Sequence, residues 1–131
     1  MKRLLFVVLM MTCSVSWAEW EYIGENDTHT DYFDKSTIRR NGRIAKMWIL
    51  TDYLKVKTLP DGTKFKSKKV RRAYNCLEES ITEISTILFS GSMGEGDVVW
   101  TGENKEIEWN WMSVVPRSVG KVQFDIACGK K

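Results

Sequence analysis

Three groups of side chains in this sequence are equipped for bonding or catalysis: the cysteines, a lone histidine and a dense run of cations. Cys76 and Cys128 stand far apart and lack the Cys-x-x-Cys spacing of a redox-active pair. In an oxidising compartment they read as one structural disulfide. His29 has Asp27, Thr28 and Asp31 as neighbours, residue types that can act as a base with an orienting carboxylate. No nucleophile elbow and no metal-ligand pair accompanies it, so it reads as an exposed loop or strand-edge histidine. The stretch Gly91-Ser92-Met93-Gly94-Glu95-Gly96 has neither the Lys-Ser/Thr ending of a P-loop nor a dinucleotide-binding spacing. It reads as a hairpin connection with special backbone angles. The chain is therefore expected to be non-catalytic, with no metal and no resident cofactor.

The cations are Lys64, Lys66, Lys68, Lys69, Arg71 and Arg72. Dense positive charge suits acidic or sulfated partners, and a strand presents alternate residues to one side. On a regular strand Lys66, Lys68 and Arg72 share one face, and Lys69 and Arg71 take the other. The competing explanation is an edge strand, where lysine blocks pairing with another sheet. Of six tryptophans, Trp17 lies near the N-terminus and the others are Trp20, Trp48, Trp100, Trp109 and Trp111. Trp48 reads as core, whereas Trp109 and Trp111 divide evenly between core and an interface.

The N-terminus sets the compartment. Met1-Lys2-Arg3, an apolar run from Leu4 to Met11 and Ser16-Trp17-Ala18 form the three parts of a secretory signal peptide over residues 1–18, so the mature chain is expected to begin at Glu19. Lipidation at Cys13 is the sharper alternative, but Met10 and Thr12 hold the places where lipoprotein signals carry Leu and a small residue. The apolar run is short against the ~20 residues that span a bilayer. Removing the signal takes two of the 20 basic residues and none of the 17 acidic ones, which leaves +1 in place of +3. That balance excludes a global pull toward nucleic acid, so any electrostatic partner must be met by a local patch.

These residues have to be positioned by one domain spanning 19–131. Alternation and turn signals give strands over Glu19–Gly24, Thr28–Phe33, Ile44–Tyr53, Phe65–Cys76, Ile81–Phe89 and Asp97–Thr101, with Ile107, Trp109 and Trp111 also alternating. Asp34-Lys35-Ser36-Thr37, Asn41-Gly42 and Pro60-Asp61-Gly62 read as turns. The Ile44–Tyr53 strand is apolar on both sides, Ile44, Trp48 and Leu50 against Met47, Ile49 and Tyr53, which suits a strand covered on both faces. The tail Ser118–Cys128 fits either a strand or a helix capped by Ser118 and closed by Gly129. The expected class is α+β, a single antiparallel sheet of about six strands with one C-terminal helix on a face. One helix leaves the second face bare, and a second subunit is the simple cover for it.

Several blocks resemble the surface-adhesin protein E family of small exported bacterial proteins. They are Tyr32-Phe33-Asp34-Lys35-Ser36-Thr37-Ile38-Arg39-Arg40, Lys46 to Tyr53, Ser67-Lys68-Lys69, Tyr74-Asn75-Cys76, Phe89 to Val99, and Trp111 through Pro116-Arg117-Ser118 to Gly129. Asn75 stands where Asp commonly precedes the cysteine, and Arg117 where Gly is common after the proline. The resemblance implies a C-terminal helix tied to the sheet by a Cys76–Cys128 disulfide, and dimerisation in some members. It also implies a cell-surface or periplasmic location and binding of host matrix or plasma proteins such as vitronectin, laminin and plasminogen. Haem binding is implied by the resemblance alone. The function expected on these grounds is an exported binding protein that presents a sheet surface to a protein partner. The basic residues Lys66, Lys68, Lys69, Arg71 and Arg72 are its candidate contacts, and Trp109 and Trp111 its candidate interface. The alternative is a soluble periplasmic module with an envelope or stress role and no host ligand.

Overall fold

The computed structural model describes residues 19–129; the signal segment and Cys13 lie outside them. The described chain forms β1 (Glu21–Glu25), β2 (His29–Phe33), β3 (Arg39–Asn41), β4 (Ile44–Thr58), β5 (Lys64–Asn75), β6 (Ser80–Phe89), β7 (Val98–Glu103), β8 (Met112–Ser113) and α1 (Val119–Cys128). All strands pair antiparallel in one sheet, in the order β1-β2-β4-β5-β6-β7. The sheet has eight strands among the described residues, against the six or so expected. The two additional ones are short: β3 pairs with the start of β4, and β8 with the start of β6.

The helix face holds the core. Ala45, Met47 and Ile49 alternate along β4 and pack with Tyr74, Cys76, Phe124, Ala127 and Cys128. The ambiguous tail is a helix because both of its ends are closed locally. The Ser118 hydroxyl accepts from the Lys121 N–H at 3.1 Å, and Gly129 at φ +68° takes the left-handed conformation that ends the last turn. Lys121 and Asp125 pair one turn apart at 2.8 Å. The Cys76–Cys128 disulfide then fastens α1 to the end of β5, and Arg40 donates to the Cys128 carbonyl at 2.8 Å.

The other face of β4 carries Ile44, Trp48 and Leu50, as expected. Its cover at one end is intramolecular. The glycine-containing loop folds over Leu50: Gly94 N–H donates to the Ser67 hydroxyl at 2.8 Å, that hydroxyl donates to the Gly91 carbonyl at 2.6 Å, and Met93 N–H donates to Asp52 at 3.2 Å. Gly94, at φ +71°, lies so close that a Cβ there would meet the Leu50 and Lys69 side chains. Leu50 and Ser67 are fully buried as a result.

Two local expectations are corrected. The lysine-rich β5 is not an edge strand, because it pairs with β4 on one side and β6 on the other. The outermost strands of the main path are β1 and β7, and the short β3 and β8 also pair on one side only. Ile107 to Trp111 is not a strand. Glu106–Glu108 forms a 3-10 turn, in which the Glu108 carboxylate accepts from the Lys105 N–H at 3.1 Å and the Trp109 indole donates to the Asn104 carbonyl at 3.0 Å. These local bonds curl the segment and leave Ile107 93% exposed.

Candidate binding face

β5 distributes its cations as strand alternation requires. Lys69 and Arg71 stand opposite Leu50 and Trp48 of β4 and share their face, away from the helix. Lys68 and Arg72 stand opposite Thr51 and Met47 and share the helix side. All of Lys66, Lys68, Lys69, Arg71 and Arg72 are half-buried, so their stems run along the sheet while their charged ends reach outward. Lys66 donates to the Tyr53 carbonyl. The Lys68 ammonium lies 5.9 Å from the Tyr53 ring centroid. Lys69 sits 5.0 Å from the Phe89 ring and 5.5 Å from Trp20, within cation–π range. Arg72 spans from sheet to helix, donating to Gln123 at 2.7 Å and to Glu83 at 3.0 Å. The five cations therefore do not form one patch. Lys66, Lys68 and Arg72 are engaged by neighbouring groups, Lys69 lies beside the glycine loop between Phe89 and Trp20, and Arg71 is left on the open face.

Arg71 belongs instead to a cluster drawn from other strands. β3 and β4 form a tight hairpin in which Arg39 lies opposite Lys46. Arg39, Arg40, Lys46 and Arg71 line a cleft of about 300 Å³ with Glu106 and Trp109. Lys46 sits 5.5 Å over the Trp109 ring, and Trp109 meets Trp111 edge to face at 5.9 Å. Both tryptophans are half-buried. Trp109 closes the cleft on one side, with Trp111 packed edge to face against it, rather than filling the core. A signal for this cluster exists in the sequence: Arg39-Arg40 and Lys46 flank the Asn41-Gly42 turn, and a tight hairpin brings such flanking residues together.

His29 opens β2 and is half-buried. Its Nδ1 lies 2.9 Å from the Thr28 hydroxyl and its Nε2 3.6 Å from the Asp31 carboxylate. The Thr51 hydroxyl donates to the same carboxylate at 2.6 Å. Thr51 is buried, so this chain of polar groups ties β2 to β4, while the Thr28 hydroxyl at its outer end is exposed. Among the described residues no cluster of three or more His, Cys, Asp or Glu is arranged to hold a metal ion. No helix among them is long and apolar enough to cross a membrane. Tyr74, on the helix face, is wholly buried against Gln123, and burial pushes its phenol well above the ordinary value of 10.0.

A small antiparallel sheet, one helix fastened to it by a disulfide, and an uncovered face bearing aromatic and cationic side chains define a compact module of the binding type. The surface-adhesin protein E family model matches residues 20–129, and the chain belongs to that family. Membership makes it an adhesin-like protein. Its fold is similar to two crystal forms of Haemophilus influenzae protein E. One shares 15% identity with a TM-score of 0.58 over 82% of this chain and 88% of the other. The second shares 15% with a TM-score of 0.59, covering 82% and 91%. Protein E from non-typeable Haemophilus influenzae is also similar, at 18% identity and a TM-score of 0.56 over 81% of this chain and 75% of that one. At such identities the likeness is one of fold. No curated protein matches the chain in sequence.

Proposed function

We propose that this protein is exported and acts without catalysis, presenting the open face of its sheet to a protein partner outside the cell, of the matrix or plasma class. The observation that carries the reading is the face itself. Trp48, Lys69 and Arg71 stand on adjacent central strands, beside Lys46 and the Trp109–Trp111 pair. The helix packs on the opposite side, and the glycine loop covers one end only. Aromatic and arginine side chains on a rigid frame are the usual anchors of protein interfaces. The frame is held before binding, so little ordering entropy is lost on association. The reading requires no cofactor. Export rests on the charged, apolar and small-residue parts of residues 1–18.

The test is binding of the purified chain to immobilised laminin, vitronectin and plasminogen, with Lys69→Glu/Arg71→Glu as the variant. The reading expects capture by at least one of them and at least tenfold weaker binding by the variant, with an unchanged urea midpoint. No capture, or capture that the variant leaves unchanged, removes the face from the account and directs attention to periplasmic partners. A second copy of the chain is the competing occupant. A dimer in a light-scattering concentration series that dissociates on Arg71→Glu would assign this face, with Trp109 and Trp111, to self-association.

A further inference from the structure

We infer that the cleft between the β3–β4 hairpin, β5 and Trp109 is a binding site for a sulfated polysaccharide. Arg39, Lys46 and Arg71 bring three cations to it against the single carboxylate of Glu106, while Arg40, also in the lining, turns its guanidinium to the helix side. Among the described residues none of these three is in an ion pair, whereas Lys35, Arg72 and Lys121 are paired with Glu21, Glu83 and Asp125. Unopposed cations in a concave wall concentrate positive potential where an anion would sit.

The two hairpin arginines are held in place by the backbone. Arg39 donates through Nη1 to the carbonyls of Ser36 and Ile38, both at 2.9 Å. Arg40 donates through Nε to Gly42 at 3.0 Å and through Nη1 to Cys128 at 2.8 Å. Arg39 keeps further N–H groups for a ligand, whereas Arg40 braces the hairpin against α1; Arg71 makes no hydrogen bond among the described residues. A planar fork with fixed donors grips a tetrahedral or planar oxyanion at two oxygens, which a flexible ammonium cannot do. The fixed arginines lose little freedom on binding.

The shape argues for a chain rather than a small ion. Arg71 is shared with a neighbouring groove of about 620 Å³ along the same face, lined by Trp48, Ser85, Thr101 and Glu103. An extended ligand can follow this path from the arginines toward the Ser85 and Thr101 hydroxyls, which suit sugar hydroxyls. Glu103 at the far end disfavours a second anion there. Trp109, with the Asn41 amide nearby, supplies the apolar wall and the amide that a sugar ring uses. The choice of sulfate among anions rests on the exported location proposed above, because extracellular polysaccharides carry it. The cationic cleft does not depend on that reading.

The experiment is isothermal titration of the purified chain with a heparin octasaccharide, in parallel with fully desulfated heparin and a polyglutamate peptide of matched charge. The variants are Arg39→Ser/Arg71→Ser and, as an equal loss of charge elsewhere, Lys55→Ser/Lys57→Ser at the distal end of β4. The proposal expects heparin to bind at low salt and the arginine variant to bind at least tenfold more weakly. It also expects the lysine variant to stay within twofold, and desulfated heparin not to bind. Equal losses in the two variants, or polyglutamate binding as tightly as heparin, would overturn it. So would the absence of heparin binding. Arg71 is common to this cleft and to the face tested with matrix proteins, so Lys69→Glu alone, which leaves the cleft residues intact, separates the two: it should weaken matrix capture and leave heparin binding within twofold.

Discussion

Replacing Cys76 and Cys128 together by alanine is expected to cost the domain about 4 kcal/mol. The two residues are 52 apart in sequence, and the chain-entropy relation for a closed loop of that length gives a value near 4 kcal/mol at 25 °C. Spread over a domain of this size, with an unfolding entropy of about 2 cal/mol/K per residue, the loss corresponds to a fall in melting temperature of about 18 °C. The same cross-link keeps the unfolded chain compact, so the variant should also show a steeper denaturant dependence. The assay is urea unfolding followed by circular dichroism, with the oxidised wild type, the reduced wild type and the double variant side by side. A loss below about 1 kcal/mol with an unchanged slope would refute the reasoning. It would mean that Phe124, Ala127 and the Arg40 contact hold α1 in place without the covalent tie.

Three further outcomes follow from the same packing. Phe124 is fully buried at the centre of the helix–sheet core, and Phe124→Ala should cost about 3–5 kcal/mol in chemical denaturation. Arg117 is held at φ +61°, so Arg117→Gly should relieve the left-handed penalty and raise stability by about 0.5–1 kcal/mol in the same assay. The Tyr74 phenol is raised above its ordinary value of 10.0 by burial. Between pH 10 and its folded-state value, the unfolded chain therefore binds fewer protons than the native one, and stability falls as the pH rises through that window. Tyr74→Phe should flatten this alkaline fall in unfolding curves measured at pH 9, 10 and 11.

The sheet was legible in the sequence wherever a local pattern had one cause. β4 reads as a doubly covered strand because its two faces are both apolar, and the structure covers one with α1 and part of the other with the glycine loop. That second cover is invisible in the pattern, since it depends on where Gly94 lands relative to Leu50. The tail could be read either way, because Val122 and Ile126 satisfy both periods, with Phe124 and Cys128 completing a strand alternation and Val119 a helical face; Ser118 and Gly129 decide it. Ile107, Trp109 and Trp111 alternate for no strand-related reason, and side-chain bonds to the backbone at Lys105 and Asn104 prevail over the alternation. For the candidate site, the division of β5 cations between faces follows from parity alone. The strand's interior position does not, because pairing partners are set by topology. The Arg39–Lys46 pairing was within reach from the Asn41-Gly42 turn, but the arrival of Arg71 and Trp109 at the same cleft is a tertiary fact.

On the function proposed above, this protein would stand outside the cell with its open sheet face available. The most direct measurement is labelling of intact cells with a membrane-impermeant lysine reagent, followed by mass spectrometry of the modified lysines, with a periplasmic protein as the leak control. The predicted result is modification of this protein, including Lys46 and Lys69 of the open face, while the control stays unlabelled. Labelling that occurs only after lysis would contradict the claim and move the protein's partners into the periplasm.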